Sequence, residues 1–134
     1  MGMRSARLRT IGLAMFCVGF ASAGSAFSQS RPFTFRDAEF MSPDRGLQAA
    51  QQFTIVDLPP GLPIGEARRR VQRAAMFCRP AQGAATVCEY SLPIHVEGGV
   101  IGEDRWRVTL IADNSGALGS ARVDHYTVGT PNPQ

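Results

Sequence analysis

The chain has 134 residues, 44% hydrophobic and 8% aromatic, with fourteen basic side chains against eleven acids. All fourteen are arginine; three of them (Arg4, Arg7, Arg9) lie near the start, and removing those leaves eleven, equal to the eleven acids. Beyond the first residues the chain is therefore uncharged overall, which removes the basic footprint that nucleic-acid binding leaves. Its length suits one domain rather than two.

The opening predicts an export signal over residues 1–28. A basic start is followed by the apolar run Ile11 to Phe20 and then by small residues (ASAGSAFS), the three-part layout of a secretory signal. The apolar run is about half the roughly twenty residues a bilayer span needs, so no stable membrane span is expected after signal removal. The expected location is the periplasm or the extracellular space. Lipidation at Cys17 is disfavoured by Phe16, which stands where a lipoprotein signal carries a small residue. Cys78 and Cys88 are then an even pair in an oxidising compartment, and a disulfide between them is expected. Their spacing is neither C-x-x-C nor that of a zinc site; no metal site and no cofactor is expected.

Residues 29–41 (QSRPFTFRDAEFM) read as an extended arm bearing Phe33, Phe35 and Phe40, whose aromatic rings either pack on the domain or add to a partner's groove. A single domain over residues 42–128 follows. Ser42-Pro43-Asp44 predicts a helix start, with Ser as cap and Pro at the first helical position. That helix is expected to reach about Phe53, with Leu47, Ala50 and Phe53 or Ile55 facing inward, before Pro59-Pro60-Gly61 ends it. A second helix is expected from Ile64 to Cys78. Its apolar stripe is Ile64, Ala67, Val71, Ala74, Ala75 and Cys78, and Arg79-Pro80 stops it.

The remainder alternates as strands do. Ala84 to Leu92 places Cys88, Tyr90 and Leu92 on one face and Val87, Glu89 and Ser91 on the other. Pro93 is expected to break or edge that strand, and Gly98-Gly99 to centre a turn. Arg105 to Ala112 turns Trp106, Val108 and Leu110 inward. Asp113-Asn114-Ser115-Gly116 predicts a hairpin turn, and Leu118 to Val128 the last strand, before a loose tail over 129–134. The fold class is α+β: two N-terminal helices packed on a three- to four-stranded antiparallel sheet, with Cys78–Cys88 tying helix to strand. A sheet face left uncovered is a place to meet a partner.

Pro60-Gly61-Leu62 before an amphipathic helix carrying Glu66-Ala67, then a tyrosine-bearing strand, then Trp106-x-Val108-x-Leu110 and an Asp113-x-x-Gly116 turn, resembles small BamE-like (SmpA/OmlA-type) bacterial envelope proteins. The resemblance spans about Ser42 to Val128 and departs from the family at Cys17 and at Pro63, where a capping Ser or Thr is usual. It implies a non-enzymatic role, assisting outer-membrane assembly or stiffening the envelope; the same fold also serves as an inhibitor of a secreted enzyme. The expected function is thus an envelope binding or assembly-accessory protein, the alternative a small secreted inhibitor.

Arg68, Arg69, Arg70 and Arg73 form the expected contact surface, toward an envelope protein or an anionic envelope surface, because guanidinium groups pair with carboxylates and phosphates. The competing view is a solvated helix face balanced by Glu66. Asp124-His125-Tyr126 is the best acid/base candidate, but neighbours on a strand point to opposite faces, so Asp124 cannot orient His125. No catalytic residue is assigned.

Overall fold

The computed structural model describes residues 31–96 and 99–129. The segment expected as an export signal, with Cys17, the turn expected at Gly98 and the tail from residue 130 lie outside the described residues. Helix α1 spans Pro43–Asp57 and α2 spans Ile64–Arg73; strands β1 (Phe77–Cys78), β2 (Ala85–Val96), β3 (Gly99–Ala112) and β4 (Leu118–Gly129) form one antiparallel sheet in the order β1-β2-β3-β4. The protein is α+β, with both helices N-terminal to the long strands and packed on one sheet face. There α1 lies over β4, and α2 over β1, β2 and β3.

Alternation decides what that face contains. Cys88, Trp106, Val108 and Leu110 are buried on it, while Ala121 and Val123 of β4 pack against them from the edge. Between the layers sit Ala50, Phe53 and Leu58 from α1 and its end, with Ala67, Val71 and Ala74 from α2. Ile55 points to solvent, because it lies about 140° around the helix from Ala50. Ser42 is the N-cap and Pro43 the first helical residue, but no side-chain cap bond forms; the Ser42 carbonyl accepts from Gly46 N–H at 2.9 Å. Helix α1 also runs four residues past Phe53, to Asp57. The turn that follows docks on the sheet: Gly61, at φ 89°, donates to the Leu118 carbonyl at 2.7 Å, and Leu118 donates to Leu62 at 2.7 Å.

The C-terminus of α2 departs from expectation. The helix stops at Arg73, not at Cys78. Ala75 adopts φ 70°, Ala75 N–H donates to the Gln72 carbonyl (3.1 Å) and Met76 N–H to the Val71 carbonyl (3.4 Å). This is the Schellman arrangement, with alanine where glycine is usual. The reversal frees Phe77-Cys78 to become β1, so Cys78 lies directly opposite Cys88 across two neighbouring strands. The disulfide exists (S–S 1.99 Å, Cα–Cα 3.9 Å), but it joins strand to strand within the sheet rather than helix to sheet. A left-handed alanine costs about 1 kcal/mol relative to glycine. Ala75→Gly is therefore expected to stabilise by about 0.5–1 kcal/mol, read as a higher urea midpoint with unchanged slope. A lower midpoint would contradict this account of the helix end.

Two further differences follow from the sheet. Strand β2 continues through Pro93, which pairs with Glu103. Strand β1 flanks β2 only at Cys88 and Glu89, so near Pro93 a missing N–H leaves no described strand unpaired. The segment expected as an extended arm carries a 3-10 turn, Asp37–Phe40. Asp37 accepts from Thr34 N–H and Oγ at 2.8 and 2.9 Å and pairs with Arg31. The Thr34 N–H bond above all holds its carboxyl below the usual range. Phe35 N–H donates to Ala74 at 2.9 Å and its ring is wholly buried, beside Phe33, Phe53 and Trp106. Phe40 remains 85% exposed.

Candidate functional site

On α2 the helical period divides the four arginines. Ala67 and Val71 define the buried side. Residues 66, 69, 70 and 73 fall within about 100° of one another on one flank, and Arg68 falls on the other. The structure follows this division. Glu66 Oε2 accepts from Arg69 Nε at 3.0 Å and lies 2.9 Å from its Nη2, and Oε1 accepts from Arg70 Nε at 3.2 Å and Arg73 Nη2 at 3.3 Å. Arg70 also donates to the Asp57 carbonyl at 2.9 Å, linking α2 to the end of α1. Arg68 instead lines a shallow pocket with Ile64, Ala81 and Gly83. Three of the expected contact residues thus come together, and Arg68 does not join them.

Hydrogen bonds from Arg69, then Arg70 and Arg73, hold the Glu66 carboxyl below its ordinary range. One carboxylate shared by three guanidinium groups leaves cationic N–H donors turned to water. The Arg69 and Arg73 side chains are 64% and 65% exposed. Each guanidinium has five donors, and Arg73 uses one on Glu66, so Glu66 orients these groups without exhausting them.

Beside this flank runs a groove of about 420 Å³. It is lined by Arg70, Arg73 and Ala74 at the end of α2, by Pro32 and Phe33 of the arm, and by Phe53 and Asp57 of α1. The arginine cluster and the aromatic arm, alternatives in the sequence, here line one cleft. The Phe33 and Phe53 rings are 6.0 Å apart, so the aromatic lining is built by the arm folding back onto α1.

The sheet face away from the helices is uncovered among the described residues. Its centre is Glu89, which accepts from Arg107 (Nε 3.0 Å, Nη2 2.8 Å) and from Arg79 (2.8 Å). Arg107 bonding is the main reason the Glu89 carboxyl lies below its usual range, outweighing the opposing effect of burial. The Arg107 guanidinium sits 5.1 Å from the Tyr126 ring centroid. Arg105 pairs with Glu103, and Arg122 with Asp124. Four arginines here meet three carboxylates, a nearly neutral ladder, in contrast to the three-to-one ratio on α2.

One pairing was not visible in the sequence. His125 stacks on Trp106 (3.9 Å between rings, 11° between planes) and its Nε2 lies 2.6 Å from Asp104 Oδ1. Asp124, as alternation demands, is on the other face with Arg122. Asp104 is two residues before Trp106 and so shares its face, but its nearness to His125 depends on the pairing Trp106↔His125, a register that composition does not encode. The pair orients the imidazole and clips β3 to β4. Among the described residues no group of three or more His, Cys, Asp or Glu side chains could hold a metal ion, and no helix is long and apolar enough to cross a membrane.

No protein family, curated protein or solved structure matches the chain.

Proposed function

We propose that this is an exported, non-enzymatic binding protein of the cell envelope, periplasmic or secreted, which holds an acidic protein segment in the groove between the aromatic arm and α2. The observation that carries the reading is the groove itself. Arg70 and Arg73 line it together with Phe33 and Phe53, with Arg69 exposed beside them. A segment carrying carboxylates next to an apolar side chain satisfies both kinds of lining, since guanidinium groups bind carboxylates bidentately and the rings cover the apolar group. The signal-like start supplies the address, and the resemblance to BamE-like envelope proteins agrees with an assembly-accessory role.

Capture from envelope extract tests this, comparing the native protein with the Arg69→Glu/Arg73→Glu variant. Both side chains are about two-thirds exposed, so the variant should fold normally by circular dichroism. Reversing two charges opposite an acidic partner is expected to weaken capture by more than about tenfold. Capture that survives the reversal would overturn the reading, as would binding confined to anionic lipid vesicles. Recovery of one soluble enzyme, inhibited on binding, would instead support the secreted-inhibitor alternative.

A further inference from the structure

Strand β4 ends the sheet. At its start the outer side is occupied, where Leu118 exchanges hydrogen bonds with Gly61 and Leu62 at 2.7 Å each. From Gly119 to Gly129 no described segment pairs with that outer side. A strand of this length with one row of unpaired N–H and C=O groups is a template for a further strand. On the opposite edge β1 has only two residues, and beyond it the outer side of β2 from Tyr90 to Val96 is interrupted by Pro93, which has no N–H to offer.

The side chains of β4 identify the occupant. Two antiparallel copies related by a two-fold axis through the sheet must place a residue opposite its own copy, since any offset of one would bring opposite faces together. The choice is then among a few centres. Centring on Arg122 sets Arg122 against itself, and centring on Asp124 sets Asp124 against itself, like charges facing each other in both cases. Centring on Val123 sets Val123 against Val123 on the helix-covered face and Arg122 against Asp124, twice, on the open face. Opposite charges directly across a strand pair stabilise it, and like charges destabilise it. Within one copy Arg122 and Asp124 already lie on the same face, 3.0 Å apart, so the four charged groups at the join would form one alternating network.

We propose that the protein pairs with a second copy of itself through β4, antiparallel and centred on Val123, making one continuous eight-stranded sheet. The charge-swap test uses the exported chain and sedimentation velocity at protein concentrations up to about 0.5 mM. The native protein is expected to dimerise. Arg122→Asp and Asp124→Arg singly set like charges across the join, and each should raise the dimer dissociation constant about tenfold or more. The double variant Arg122→Asp/Asp124→Arg restores opposite charges and should dimerise like the native protein. Both positions are surface ones, and unchanged circular dichroism and urea midpoints check that each variant folds. A native protein monomeric throughout the range would overturn the proposal, as would a dimer indifferent to the single substitutions or a double variant as weak as the singles.

Discussion

Trp106→Ala is expected to lower the unfolding free energy by about 3–5 kcal/mol, the largest loss at any single position. The indole is 4% exposed and meets three other segments at once. Phe35 of the arm lies 5.9 Å away, and His125 of β4 stacks on it at 3.9 Å. Gly46 of α1 comes so close that an added Cβ would lie 3.4 Å from Trp106 Cζ2. Truncation opens a cavity that none of these rigid neighbours can fill, because each is itself anchored, Phe35 by its backbone bond to Ala74 and His125 by Asp104. A domain of this size has a total stability of roughly 5–10 kcal/mol, so the variant should be close to unfolding at 37 °C. Urea unfolding followed by circular dichroism measures the loss. A loss under about 1 kcal/mol would contradict the placement of Trp106 at the junction of arm, helix and sheet.

The second large effect belongs to the disulfide. Replacing Cys78 and Cys88 together by alanine is expected to cost about 2–3 kcal/mol, the chain-entropy value for a separation of 10 residues. Its position determines the form of the loss. Because the bond joins β1 to β2 inside the sheet, α2 keeps its contacts through Ala67 and Val71, both wholly buried. The helical circular-dichroism signal should therefore remain under native conditions while the urea midpoint falls. Reduction of the native protein should give the same shift. An unchanged midpoint, or helix loss before denaturant is added, would show that the bond does not act as a link within the sheet.

Much of this architecture was legible residue by residue. The alternation of Trp106, Val108 and Leu110 marked a buried strand face, and Ala67 and Val71 marked the inner side of α2. Asp113 and Gly116 marked the hairpin: Asp113 Oδ1 accepts from Ser115 N–H at 2.8 Å and Gly116 takes φ 79°. The end of α2 was hidden because alanine, a strong helix former, occupies the left-handed position. The apolar stripe beyond it continued at helical spacing into what is really a strand. Strand β1 is legible only once that reversal is known. Among candidate site residues, the helical period alone separates Arg68 from Arg69, Arg70 and Arg73. Their convergence on Glu66 beside Phe33 and Phe53 is tertiary, since it requires the arm to return to the end of α1. Local sequence carries no record of that contact, nor of the register that sets His125 beside Asp104.

The groove is tested most directly by titrating the isotope-labelled protein with a short peptide of glutamates around one phenylalanine and mapping amide and side-chain shifts by nuclear magnetic resonance. The largest saturable changes are expected at Arg69, Arg70 and Arg73 together with Phe33 and Phe53, screened away as salt is raised. Changes confined to the open sheet face at Arg79, Arg107 and Tyr126, or none that saturate, would contradict binding in the groove.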